Sequence, residues 1–336
     1  MIRAAFVTLD AAAPSTRVRV LDHLAGLARA GVRGEVVVLP RGWRARRRRL
    51  ATLDHDVVVL LRVLLGEGDL VRLRRAAAGL VLDVDDAVTV RPGGRPSARL
   101  RRRYLATLRA VDLVVAGSLA LREDAARVHP RVRLIPPASP SGAPPRTAAG
   151  RGGPFRAVWT GSRHTLPYLE ALGPALLEAA RRVPSLELVV LADRPPRLPG
   201  VRVRFVPWSA AAEDEALASA DVGLYPLPQD RWAAGKCAYK VRRYMAFGLP
   251  TVASGVGGGG EALDAGGLPA GVLVAGGPGG RWAEALASLA ADPARRARLG
   301  RLARSTALGR DALCSRTRTL VRVLREAAAI GERRRG

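Results

Sequence analysis

The chain reads as short, nearly uninterrupted apolar runs separated by stretches with helical spacing. In the first half the apolar runs fall at residues 3–9, 35–39, 57–61, 80–84, 113–116 and 132–135. In the second half they fall at 156–160, 186–191, 201–206, 222–225, 251–253 and 271–274. Runs that are apolar at successive rather than alternate positions predict strands buried on both faces, as in a parallel sheet. Helical patterns lie between most of them, for example at 17–30, 100–109, 167–182 and 281–290. This alternation predicts an α/β chain with two doubly wound parallel sheets. Residues 136–154 break the pattern with six prolines and no apolar periodicity, which sets a linker at 138–153. The expected division is then 1–137 for a first domain, 154–309 for a second, and 310–330 for a terminal helix crossing back to the first. Asp311 is its expected N-cap.

Composition bounds the function. A chain of 336 residues, 48% apolar, has material for two cores, which excludes a disordered polycation. Its net charge of +26 points first to nucleic acid. Yet residues 1–150 carry 27 basic and 13 acidic side chains, and residues 151–336 carry 28 and 16, so no basic tail or domain stands apart. The basic residues are 53 Arg and only two Lys; Asn is absent and Ile occurs three times. That bias fits a GC-rich coding sequence, so much of the charge reads as solvated surface Arg. Aromatic residues, at 4%, give little for base stacking. Cys237 and Cys314 cannot by themselves form a disulfide framework or a zinc site, and a reduced, cytoplasmic setting is expected. Arg62 interrupts the most apolar stretch, 57–65, and no run approaches the ~18–20 residues of a membrane helix. No cleavage-site pattern follows the first strand-like run, so no signal peptide is expected.

In doubly wound sheets ligands bind beyond the C-terminal ends of the strands, so the residues just after each apolar run carry the candidate chemistry. Thr160-Gly161-Ser162-Arg163-His164-Thr165 reads as a strand–turn–helix whose backbone amides and helix N-terminus suit a phosphate, or as a plain connection capped by Ser162 or Thr165. Both lysines of the chain, Lys236 and Lys240, fall within Gly235–Lys240. A helix over 236–247 would place them on one face, as two point charges for phosphate oxygens or as an exposed basic face. The glycine run 255–260, with Gly257 in it, would expose backbone amides, and Glu261 after it could take two hydroxyls of a ribose or sugar. In the first half, Ser15 and Arg17 open a helix on the ligand side; Arg17 is an anion contact or a surface Arg. Asp83, Asp85 and Asp86 end the fourth run and read as hydroxyl-binding or general-base carboxylates more readily than as a metal site. The four histidines show no ligand spacing, and no Walker loop, Gly-x-Ser-x-Gly elbow or GxGxxG fingerprint occurs.

Together these pieces resemble the group-1 (family 4) glycosyltransferases of the GT-B fold. The most specific part is Gly235-Lys236, then Lys240-Val241-Arg242-Arg243-Tyr244-Met245-Ala246-Phe247-Gly248-Leu249-Pro250-Thr251-Val252-Ala253-Ser254, followed by Glu261. Supporting pieces are Ser15–Arg19, Ala116-Gly117-Ser118, Ile135-Pro136, Trp159–Ser162 and Asp221–Leu227. The resemblance implies two Rossmann-like domains facing across a cleft. It implies a UDP- or GDP-sugar donor on the C-terminal domain, a glycan, lipid-linked or other hydroxyl acceptor on the N-terminal one, retention of configuration, and no bound cofactor or metal. By the same resemblance, Lys240 neutralises the donor diphosphate, Gly161 and Ser162 border it, Glu261 lines the donor end of the cleft, and Asp85 stands where many relatives carry a His near the reacting sugar; Arg163, Lys236, Tyr244 and Gly257 are further candidates for the donor and Asp86 for the catalytic site. One departure is plain: the two Glu that many relatives carry eight positions apart are Gly235 and Arg243 here.

Two other functions compete: a non-catalytic or nucleic-acid-binding basic protein, and a sugar-nucleotide epimerase on the same fold. The clusters Arg44, Arg46–Arg49 and Arg99, Arg101–Arg103 would otherwise favour an anionic membrane or acceptor, placing the protein at the inner face of the cytoplasmic membrane in polysaccharide or cell-envelope synthesis.

Overall fold

The computed structural model describes residues 1–91, 94–140, 142–144 and 153–335. Most of the expected linker, 141 and 145–152, lies outside the described residues. The chain forms two compact units: unit 1 comprises Met1–Ala138, Gly235–Cys237 and Leu313–Gly336, and unit 2 comprises Ser139–Ala234 and Ala238–Ala312.

Unit 1 holds strands β1 (Ile2–Thr8), β2 (Val32–Val38), β3 (Val57–Leu61), β4 (Gly79–Val84), β5 (Leu113–Ala116) and β6 (Val132–Leu134), all parallel, in the order β2-β1-β3-β4-β5-β6. Successive residues of β3 feed opposite faces, as the two-residue strand period requires. Val58 and Leu60 join a core with Leu50, Leu73 and Leu108. Val57, Val59 and Leu61 join another with Leu320, Val323, Leu324 and Ala327 of the terminal helix Leu313–Arg335. That explains the continuous apolar runs: both faces are covered.

Unit 2 holds β7 (Phe155–Thr160), β8 (Leu186–Ala192), β9 (Val203–Pro207), β10 (Val222–Tyr225), β11 (Thr251–Ser254) and β12 (Gly271–Val274), parallel, in the order β12-β11-β10-β7-β8-β9. Ala157, Leu188 and Val190 pack with Leu176, Trp282 and Leu286 on one face. Val158, Val189 and Leu191 pack with Leu217, Tyr244 and Phe247 on the other. The architecture is thus α/β, two doubly wound six-stranded sheets, as the apolar runs predict.

The helices depart from expectation in several places. The pattern over 17–30 is Pro14–Arg19, a single 3₁₀ turn Leu21–His23 and Leu24–Arg29, broken where Val20 leaves helical geometry (φ −131°, ψ −63°). The pattern over 167–182 splits into Leu166–Glu170 and Gly173–Arg182, because Pro174 lacks an N–H and fits only the first turn of a helix. Asp311 does not cap the terminal helix, which begins at Leu313. It is wholly buried in unit 2, 3.2 Å from the buried Arg242 guanidinium, and its carbonyl accepts from the Ser139 N–H at 2.8 Å.

Candidate functional site

In unit 2 the strand order places β7 between β8 and β10, so the chain leaves β7 to one side first and returns on the other; this is the switch point at which ligands bind. Trp159 and Thr160 end β7, and Gly161 follows. A Cβ at Gly161 would fall inside the Trp159 ring, so only glycine lets the loop pass over that indole. Ser162 and Thr165 close the turn: the Ser162 N–H donates to Thr165 Oγ1, and the Thr165 hydroxyl donates to the Ser162 carbonyl, both at 3.2 Å. Lys240 comes to this loop from the helix Tyr239–Ala246. Its Nζ lies 3.5 Å from Thr165 Oγ1 and 4.9 Å from the Trp159 ring centroid. The helix after the loop, Leu166–Glu170, is five residues long. The positive charge at the Gly161 loop therefore belongs to Lys240 rather than to a helix N-terminus directly after Gly161. Arg163 is exposed, 3.9 Å from Asp193.

Tyr244 stands beneath this loop. It is fully buried, burial pushes its phenol far up, and its hydroxyl accepts the Thr160 N–H at 3.1 Å. It therefore fixes the end of β7 from below instead of facing a ligand directly. Gly257 has φ 67°, and Glu261 sits half-buried on the short helix Gly259–Leu263, after β11. Arg243, at one of the positions where relatives carry Glu, pairs at 2.7 Å with both Glu213 and Asp214.

Lys236 is placed differently from its sequence expectation. The helix starts at Tyr239, not at 236, because Ala238 adopts left-handed backbone (φ 52°, ψ 40°). Lys236 therefore shares no helix face with Lys240 and belongs to unit 1, where its Nζ lies 2.8 Å from Asp86 Oδ2. Gly235 stands where the resemblance implies a Glu. A Cβ there would sit 2.6 Å from the Ala87 nitrogen and 2.9 Å from its Cα, leaving no room for a Glu. Cys237 follows, its Sγ donating to the Asp85 carbonyl at 3.0 Å.

In unit 1 the C-terminal end of β4 presents three carboxylates, each facing a different cation. Asp83 takes a bidentate fork from Arg19 at 2.8–3.1 Å, while Arg19 Nη1 also donates to the Ile135 carbonyl at 2.6 Å. Asp85 faces Arg62 at 3.4 Å, and Asp86 faces Lys236. Burial pushes the Asp85 carboxyl up, against the pull of Arg62 and Arg19. Arg62 also donates to Ser15 Oγ at 3.2 Å, so Ser15 and Asp85 of the expected acceptor side are joined through a residue that the sequence reading did not select. Its signal was there: it is the charge that interrupts the most apolar run. Arg17, beside Ser15, is exposed.

The family model for glycosyl transferases group 1 matches residues 163–292, the segment that holds Thr165, Lys240, Tyr244 and Glu261. No curated protein matches the sequence. Among solved structures, sucrose-phosphate synthase from Thermosynechococcus elongatus superposes with a TM-score of 0.76 at 17% identity, covering 98% of this chain and 100% of that one. HepE of Anabaena, in complex with UDP and glucose, superposes with a TM-score of 0.72 at 16% identity, covering 97% and 100%. At these identities the likeness is one of fold. The chain has the GT-B type of α/β fold, and its residues 163–292 match the model of the glycosyl transferases group 1, the family its motifs resemble.

Proposed function

We propose that the protein transfers a sugar from a nucleotide-diphosphate sugar, UDP- or GDP-activated, to a hydroxyl of a glycan or lipid-linked acceptor, with retention and without a metal. The observation that carries this reading is the meeting of Lys240 with Thr165 and Trp159 at the β7/β10 switch point, within the segment matched by the group 1 family. A departing nucleoside diphosphate gains negative charge. In this reading Lys240 stabilises it, with the Ser162 hydroxyl and Arg163 on the same loop, where the Gly161 and Ser162 N–H groups already donate to the Leu191 carbonyl and Thr165 Oγ1; Gly257 and Glu261 are assigned to the sugar and ribose. Unit 1 takes the acceptor, with Ser15, Arg17, Asp85 and Asp86 at its strand ends; Lys236 serves here by holding Asp86. The HepE complex with UDP and glucose supports a nucleotide sugar as donor. Incubation with a panel of nucleotide sugars tests the activity. Release of nucleoside diphosphate with transfer to acceptor supports it, and an isomerised donor or an untouched panel contradicts it.

The same reading places the protein in the cytoplasm, at the membrane's inner face, in polysaccharide or cell-envelope synthesis. Among the described residues no helix is long and apolar enough to cross a membrane. The helix Trp43–Ala51 carries Arg44 and Arg47 stacked on an exposed Trp43, at 5.1 and 5.3 Å. Burial and the neighbouring Arg99, Arg46 and Arg102 push Arg103 down, which supports reading the two arginine clusters together as a basic region. Each such residue near an anionic lipid surface contributes about 1 kcal/mol. Co-sedimentation with liposomes that ignores both anionic lipid and these arginines would reject the membrane contact.

A further inference from the structure

The sheet of unit 1 has its own switch point. With the order β2-β1-β3, the chain leaves β1 to one side and returns on the other at β3, and a crevice opens between the C-terminal ends of these two strands. Arg62 directly follows β3. Its backbone has φ 56°; among the described residues only Arg62 and Ala238 hold positive φ without being glycine. An L-residue pays for that conformation, and strain of this kind persists where the surroundings enforce it, often at ligand sites. Here its N–H donates to the Asp83 carbonyl at 2.8 Å, which fixes the turn. The turn sends the guanidinium across the crevice to Ser15, on the β1 side, at 3.2 Å, and to Asp85, on the β4 side, at 3.4 Å. The Arg62 side chain remains 41% exposed while that of Asp85 is 13% exposed. Nη1 donates to Ser15 and Nε faces Asp85, so the fork is held on both sides while the side chain keeps its exposure. A guanidinium offers five donors in a flat fork, a shape matched to carboxylate and phosphate.

We infer that Arg62 is the acceptor-recognising cation of unit 1, and that the acceptor carries an anionic group, a carboxylate or a phosphate, close to the hydroxyl that is glycosylated. This rests on the transferase reading above. Ser15 holds one edge of the fork and Asp85 its Nε side, so the fork is already aimed when the acceptor arrives. The outer edge then meets the acceptor's anion. Arg62 acts through binding, and its loss is expected in acceptor affinity rather than in the binding of nucleotide.

Arg62→Gly is an informative variant, because glycine adopts φ 56° freely, and the turn is kept while the fork is removed. Calorimetric titration of wild type and R62G with glucose 6-phosphate, glucuronate and glucose, in the presence of saturating UDP or GDP, separates phosphate, carboxylate and neutral acceptors. The inference predicts that wild type binds one of the two anionic sugars at least tenfold more tightly than glucose. It predicts that R62G remains folded and loses that preference, and that Arg62→Lys restores only part of it. Equal binding of all three sugars by wild type, or an undiminished preference in folded R62G, overturns the inference. Nucleoside diphosphate binding in the same titrations reports the transferase reading separately. Its absence from wild type overturns that reading, whereas nucleotide binding without anion preference overturns only the role of Arg62.

Discussion

Lys236 Nζ lies 2.8 Å from Asp86 Oδ2, both side chains largely shielded from water, inside unit 1. The pair ties the three-residue segment Gly235–Cys237 to the end of β4, next to the Cys237–Asp85 hydrogen bond. A half-shielded pair is worth on the order of 1 kcal/mol, more than an exposed one. Lys236→Ala and Asp86→Ala are each expected to lower unfolding free energy by about that much, and the double variant by less than the sum of the two. Urea unfolding of the four proteins of this cycle measures it; strict additivity would mean the two side chains do not interact.

Arg242 and Asp311 form a second pair, fully enclosed, with exposures of 1% and 0%. Removing one partner of a buried pair strands the other's charge, at a cost of about 3–5 kcal/mol. Asp311→Ala is therefore expected to be strongly destabilising and poorly soluble. Asp311→Asn, which keeps a hydrogen-bonding oxygen, should be milder. Thermal unfolding of both variants ranks them, and a D311A protein as stable as wild type would refute the pair's role.

His23 links the N-terminal segment to the terminal helix of unit 1 through Thr317, Nδ1 to Oγ1 at 2.8 Å, and only 4% of it is exposed. Burial, and then Arg19, lower its pKa to about 4. The folded form thus binds the proton less readily than the unfolded chain, whose His titrates near 6.5. Stability from this group is whole above about pH 6.5 and falls as pH drops toward about 4, by ~3 kcal/mol in all. His23→Gln is expected to flatten the loss of stability between those pH values. Chemical denaturation at pH 7, 5.5 and 4.5 tests it; identical slopes in both proteins would show that His23 is not the sensor.

Gly235 explains in steric terms why the first Glu of the usual pair is missing. Reintroducing it as Gly235→Glu would push a Cβ against Ala87 backbone at 2.6 Å. The expected result is destabilisation of about 1–3 kcal/mol with no gain in sugar-nucleotide binding. A melting temperature equal to wild type would show that the segment accommodates the side chain.

Much of this was legible in the amino-acid pattern. Twelve apolar runs became twelve strands among the described residues, because strands covered on both faces leave an unbroken hydrophobic signal. Lys240 and the Gly161 loop were legible too, through a rare residue type and a strand end. Other features depend on distances that no local pattern carries. The pattern puts Lys236 on a helix it does not enter, since nothing in Gly235–Ala238 announces a left-handed Ala. Arg19 and Arg62 were lost among 53 arginines: in so basic a chain the few that meet Asp83 and Asp85 look like the many that meet water. The motif sets Tyr244 near the ligand, yet its hydroxyl serves the Thr160 N–H, because motif position marks proximity to a site and not the direction of a side chain.

The central claim is that Lys240 faces the donor diphosphate at the end of β7. It is tested most directly by calorimetric titration of UDP and GDP into wild type and Lys240→Ala, alongside turnover of the sugar nucleotide that binds. Lys240 contacts Thr165 and the Trp159 face but fills no core position, so the variant is expected to melt at the wild-type temperature. The account predicts that wild type binds one of the nucleotides, that K240A binds it at least tenfold more weakly, and that turnover falls by ~10²–10³. Nucleotide affinity and turnover unchanged in the folded variant would contradict it.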